Sequence, residues 1–216
     1  HPDLKPTLAL LDPELTVSLP ANLTAWTGAD AMTHAIEAFL VPGFHPLCDG
    51  AALESLSLIS ENLILAVNEP DNIKARGAML VASCLGGISF IKGLGLVHAI
   101  SHMVGAEFDT HHGLTNAIVL PVVTRFNFPQ LEGKVQKMSS AMQYDDHSVD
   151  AFISNIDEIL DRIEIPKNSA EIGVPIDCVE RISEKAMKDS AFATNPIIAN
   201  LEEMKQLVSQ SIKQAR

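Results

Sequence analysis

The chain has no cluster of basic residues: 15 Lys and Arg against 27 Asp and Glu leave a net charge of −12, with the cations dispersed. Such a surface argues against nucleic acid and against an anionic membrane as partners, because both need concentrated positive charge. Cysteine is scarce. Cys48, Cys84 and Cys178 are far apart and form no CxxC pattern, so a disulfide framework is not expected and a reducing cytoplasm is the simpler setting. Long apolar runs are missing too. No stretch free of charge and of histidine exceeds the 15 residues of 77–91, which lie between Arg76 and Lys92. A membrane span needs about 20. The opening HPDLKP has no apolar core of the kind a secretory signal requires, and the first residue is not methionine, from which a piece of a longer chain is expected. No internal repeat or low-complexity linker is visible.

Hydrophobic residues make up 47% and charged residues 19% of the 216, a globular composition long enough for one well-buried domain. Residues 7–19 combine a short apolar run, an Asp-Pro pair and an alternating stretch ending at Pro20, which predicts one strand and a turn. Everything after it has helical spacing. A first helix, capped by Asn22 or Thr24, should run to about Val41, where Pro42 and Gly43 stop it. A second follows Asp49, with Ala52, Leu56, Ile59 and Leu63 on one face, and ends at the turn Asn68-Glu69-Pro70. A third, from Asp71 to about Ile91, should be buried almost all round and central to a bundle. A fourth spans residues 96–106, and an apolar fifth, residues 114–126, contains Pro121, which should kink or shorten it. Residues 130–142, 149–163, 176–189 and 201–213 are amphipathic. In the second of these, Phe152, Ile156, Ile159 and Ile163 recur at spacings of 4, 3 and 4. The fold class is therefore mainly all-α, a multi-helix domain preceded by one short strand.

Residues 93–113, GLGLVHAISHMVGAEFDTHHG, hold four of the eight histidines in a segment with almost no charge. His98 and His102 are four apart, so on a helix they share a face. His111 and His112 precede Gly113, where the chain can bring a third imidazole back towards the first pair. In GADAMTHAIEAF, Asp30 and His34 repeat the spacing of four. One carboxylate and three imidazoles suit a divalent first-row metal such as iron or zinc, whereas magnesium and calcium prefer oxygen. With one position left for an exogenous oxygen, such a site is a Lewis acid. The bland alternative is a capping Asp30 and hydrogen-bonded core histidines. Glu37 faces the side of His34 and is expected to be solvated or to cap a helix, with orientation of a ligand as the other role. Cys84, Cys178, Trp26 and Phe39 are expected to pack in the core.

The segments TGADAMTHAIEAF and GLGLVHAISHMVGAEFDTHHG, with Ala186, Asp189, Asn195 and Pro196 in the tail, resemble the iron-containing (group III) alcohol dehydrogenase family over nearly the whole chain. The resemblance implies that Asp30, His34, His98 and His112 hold Fe2+ or Zn2+, and that His102 sits beside the metal near the nicotinamide without being a usual ligand. Where family members commonly have proline before the last ligand, this chain has His111, which leaves it as an alternative ligand, a pocket residue or an exposed turn residue. The resemblance also implies an N-terminal α/β domain that binds NAD(P). No such domain is present: Gly93-Leu94-Gly95 lacks a third glycine at His98 and follows a helix rather than a strand. Residues 1–20 are then the strand and connector from that domain, and residues 21–216 the all-helical metal-binding catalytic domain.

The activity so implied is hydride transfer between a small alcohol or aldehyde and NAD(P), with the fragment inactive without its nucleotide-binding domain. His102 is either a relay for the alcohol proton or a structural hydrogen-bonding group. A cytoplasmic homodimer or higher homo-oligomer is expected. Two other readings remain open at this point: a metal-dependent hydrolase on a helical bundle, and a non-enzymatic metal-binding or oligomerisation module.

Overall fold

The computed structural model describes residues 6–213. Residues 1–5 and 214–216, parts of the expected connector and helical domain, lie outside the described residues. Nine α-helices are present among the described residues: α1 (Ala21–Leu40), α2 (Pro46–Asn68), α3 (Ile73–Ser89), α4 (Leu96–Phe108), α5 (His112–Asn127), α6 (Glu132–Ala141), α7 (Val149–Arg162), α8 (Val179–Ala186) and α9 (Leu201–Lys213). The all-helical expectation is met. The strand is not. Residues 7–12 form no strand, and Pro13–Thr16 form a 3-10 turn capped by the Asp12 side chain. A strand needs a neighbour for its ladder, and the described residues offer none. Leu8 and Leu10 stand 73% and 82% exposed.

Helix α1, not α3, is central. Thirteen of its 20 residues are buried, and Ala25, Gly28, Ala29, Ala31, Ala35 and Ala38 give it a slim body. Small side chains let α2, α3 and α5 pack close against it. Helix α3 buries only Ala75, Arg76, Ala82, Gly86 and Ser89. Its remaining face is open, with Val81, Cys84 and Ile88 exposed, which corrects the core assignment of Cys84. An apolar run reports what a helix can bury, but the neighbours decide how many of its faces are covered. Helix α2 starts at Pro46, where His45 Nδ1 accepts from Cys48 N–H, three residues before the Asp49 start the sequence suggested.

Helix α5 runs unbroken through Pro121. The ring removes the N–H that would bond the Ala117 carbonyl one turn back, yet α5 is held between α1, α4, α7 and α9. Tertiary packing thus overrides the local cost of proline. The C-terminal helices close the core from the other side. Phe152, Ile156, Ile159 and Ile163 are buried as their spacing predicts, and Cys178 is buried with them. The Phe152 ring lies 5.6 Å from Phe128 and 5.9 Å from Tyr144. Phe152→Ala is expected to lower stability by about 3–5 kcal/mol, read as a drop in the denaturant midpoint. A loss below about 1 kcal/mol would show that this corner lies outside the cooperative core.

Candidate metal centre

Three helices bring the candidate ligands together. Asp30 and His34 lie one turn apart on α1, His98 is in the first turn of α4, and His112 is the first residue of α5. One donor atom from each lies within 4.8 Å of the others. Asp30 Oδ1 is 3.8 Å from His34 Nε2, 3.9 Å from His98 Nε2 and 3.6 Å from His112 Nε2. The spacing of the first pair was legible in the sequence, but the third helix arrives by close approach. A Cβ on Gly113 would lie 2.4 Å from the Trp26 carbonyl oxygen and 3.1 Å from Asp30 Cβ. Only glycine lets α5 start this near α1.

Helix α4 is anchored from outside itself. Its N-cap, Gly95, has no side chain, and a Cβ there would sit 2.6 Å from Asn195 Oδ1 and 2.7 Å from Glu37 Oε1. Those two residues cap the helix across space. Leu96 N–H donates to Asn195 Oδ1 at 3.1 Å and Val97 N–H to Glu37 Oε1 at 2.7 Å. Asn195 is itself paired with Asn127 through both ends of the amides. Glu37, 3% exposed, also places Oε2 at 2.6 Å from His98 Nδ1. The carboxylate accepts there, so Nδ1 carries the hydrogen and Nε2 keeps its lone pair for the site. Glu37 is therefore not solvated. It caps a foreign helix and orients His98 in one contact set.

Burial pushes His34 down to about 4, with Asp30 opposing and the His98 and His112 imidazoles adding to the fall. Burial also lowers His112, again opposed by Asp30. Both rings are thus neutral near pH 7 and offer lone pairs. Asn116, one turn after His112, points its amide into the same space, with Nδ2 2.6 Å from Asp30 Oδ1. Sequence reasoning missed it, although a lone amide in the apolar stretch LTNAIVLPVV was a usable signal.

His102 lies outside the ligand cluster. Its ring stacks on His112 at 5.5 Å, and Nδ1 meets Asp189 Oδ2 at 3.0 Å. Its side chain is 38% exposed. His111 accepts from Leu114 N–H as the N-cap of α5 and packs against Trp26 at 4.9 Å. It is not among the clustered donors. Phe90 lies against His34 at 5.0 Å, so one aromatic ring borders the centre. One carboxylate oxygen and three imidazole nitrogens, two of them on rings held neutral and a third fixed by Glu37, fit a divalent first-row ion.

The fold and this centre define an all-helical domain with a candidate metal site. Residues 24–212 match the family described as "Fe-containing alcohol dehydrogenase family, C-terminal", and the chain belongs to that family. It is 34% identical over 219 residues to the NAD-dependent methanol dehydrogenase of Bacillus methanolicus, an alignment covering 97% of this chain and 57% of that protein. It superposes on a 1,3-propanediol oxidoreductase with a TM-score of 0.90 at 34% identity, covering 93% of this chain and 55% of the other. With the iron-containing alcohol dehydrogenase of Thermococcus thioreducens the TM-score is 0.89 at 27% identity, covering 99% and 57%. The chain spans little more than half the length of these relatives.

Gly113→Ala is expected to push the first turn of α5 off α1, destabilising the protein by about 1–3 kcal/mol and weakening zinc binding with it. Thermal unfolding and zinc titration check this, and wild-type values in both would mean that the contact yields without consequence. The lowered His34 value sets a second expectation, for protein stripped of metal. The unfolded chain takes up a proton near pH 6.5 and the folded one only near 4, so stability rises with pH between the two. The contribution, on the order of 3 kcal/mol, is complete above about pH 6.5 and lost as pH falls towards 4. A flat unfolding temperature across that window would contradict the burial of a neutral His34.

Proposed function

We propose that this chain is the metal-binding half of an NAD(P)-dependent alcohol dehydrogenase or aldehyde reductase, with Asp30, His34, His98 and His112 as ligands of Fe2+ or Zn2+. The observation that carries this reading is the convergence of those four donor atoms within 4.8 Å in a chain of this family. Residues 1–20 then lead in from a nucleotide-binding domain and residues 21–216 form the metal-binding domain. The matching description, "C-terminal", and relatives nearly twice as long support that division.

When bound, the metal supplies Lewis acidity towards the alcohol or carbonyl oxygen and the nicotinamide supplies the hydride acceptor or donor. The residues of this chain orient the substrate and handle its proton. Phe90 and Trp26 present apolar surface to the carbon chain of a small alcohol and keep water from the centre. His102 takes the alcohol proton at Nε2 and passes it to solvent, while Asp189 holds Nδ1 and so fixes the tautomer. For aldehyde reduction the proton travels the other way.

A hydrolase would need a free carboxylate or lysine beside the metal. The nearby carboxylates Glu37 and Asp189 are instead committed to His98 and His102, which favours the dehydrogenase. A purely structural module leaves the His102–Asp189 pair without a task. The exposed Leu8, Leu10, Leu15, Val81 and Ile88 support a homodimer or higher homo-oligomer. The setting is cytoplasmic, in keeping with three free cysteines, and neither nucleic acid nor membrane is a partner. By length and composition α2, and α3 with its following turn, could each cross a membrane, yet each lays its buried stripe on α1.

Protein purified without chelator is expected to carry about one equivalent of iron or zinc, and the double variant His98→Ala/His112→Ala none. Equal metal in both would refute the ligand set. In the full-length gene product, alcohol should reduce NAD+ or NADP+. His102→Ala should flatten the pH dependence of turnover, and an unchanged profile would remove the relay role. A metal-loaded protein without turnover on any alcohol or aldehyde would sink the dehydrogenase reading.

A further inference from the structure

Asn116 is an uncharged residue at the meeting point of charged and basic groups. It is fully buried, one turn beyond His112 on α5. Its Nδ2 lies 2.6 Å from Asp30 Oδ1 on α1, 3.0 Å from His98 Nε2 on α4 and 3.0 Å from His112 Nε2 on α5. One amide group therefore touches three of the four candidate ligand atoms, each on a different helix. No other hydrogen-bond donor reaches those three atoms among the described residues.

The orientation of the amide is informative. Its other end, Oδ1, is buried with no partner, and a buried acceptor left unmet is costly. Turning the amide over would set that oxygen against three lone pairs, which is worse. The side chain thus leaves one acceptor unsatisfied and directs both hydrogens at the ligand set. With two hydrogens and three acceptors the contacts are unequal, and the shortest is the one to a carboxylate, where charge strengthens the bond. A carboxylate oxygen also has more than one lone pair, whereas each imidazole Nε2 has one. The bond to Asp30 is the one compatible with metal ligation.

We propose that Asn116 is a positioning residue of the metal centre: its amide holds the Asp30 carboxylate turned inward, facing the imidazoles of α4 and α5. Asp30 is the only carboxylate of the set, and its side chain is 19% exposed. Without the amide, its oxygen is free to swing towards water, and an ion must pull it back before the site closes. Asn116 acts on the metal through Asp30, just as Glu37 does through His98. The inference rests on the metal-site reading above.

The test measures zinc affinity by competition with a chromophoric chelator, in the wild-type chain and in Asn116→Leu and Asn116→Ala. Asn116→Leu keeps the volume and removes the donor without adding a ligand; Asn116→Ala removes both volume and donor and is well tolerated in a helix. Both variants are expected to fold with wild-type helicity and to raise the zinc dissociation constant about 10- to 100-fold. In the cobalt-substituted protein both should alter the visible d–d bands, which a residue acting only on fold stability would leave in place. Wild-type affinity and spectrum in the two variants would overturn the role of Asn116 alone. Tighter zinc binding in either would overturn it as well, showing that the amide competes with the ion. Failure of the wild-type chain to bind zinc at all would overturn the metal-site reading and this inference together.

Discussion

The approach of α5 to α1 at Gly113 is the constraint on which the rest of the centre depends. An i, i+4 pair on a single helix supplies two ligands at almost no cost, because helical geometry already stacks them. A third and a fourth donor must come from elsewhere, and here they come from the first residues of two other helices. At such a position the backbone itself has to be close, since an imidazole reaches only a few ångströms. Gly113 gives that closeness against the Trp26 carbonyl, and it does so beside Asp30, the carboxylate that the third imidazole must face.

Once the helices are this close, the lone pairs of Asp30, His34, His98 and His112 confront one another, and the surrounding residues are arranged to tolerate it. Burial keeps His34 and His112 neutral. Glu37 takes the hydrogen-bearing side of His98, leaving its other nitrogen free. Asn116 inserts a donor among the acceptors. The same Glu37 side chain, together with Asn195, accepts from the buried N–H groups at the start of α4 that have no partner within the helix. A carboxylate at a helix N-terminus is favourable in its own right, so the position of His98 is tied to the stability of the helix that carries it. Orientation of the ligand and integrity of the fold share one residue.

The features around the candidate centre separate into two sides. On the buried side lie Glu37, Asn116, Asn127 and Asn195, which hold geometry. On the more exposed side lie His102, half-exposed His112 and Phe90, with Asp189 holding His102 from beneath the surface. The sequence distinguishes little between the two sides, because Glu37 and Asp189 are both simply acidic residues in helical surroundings until their partners are known.

The sequence by itself determined what is local. Periodicity located the helices, and α9 was read at its observed limits; the spacing of four put Asp30 with His34 and His98 with His102; two motifs were specific enough to point to the family. What only the tertiary structure decided is what depends on distant partners. Among the described residues the expected strand had no neighbour to pair with and the apolar α3 no covering layer on its outer face, while α5 continued past Pro121 where other helices hold it. Glu37 meets His98 across 61 positions and Asn195 meets Leu96 across 99. Hydrophobic period and helix propensity act over a few residues, whereas burial, capping across space and the convergence of ligands are properties of the packed whole. That is why the four candidate ligands were legible beforehand and the residues that hold them in place were not.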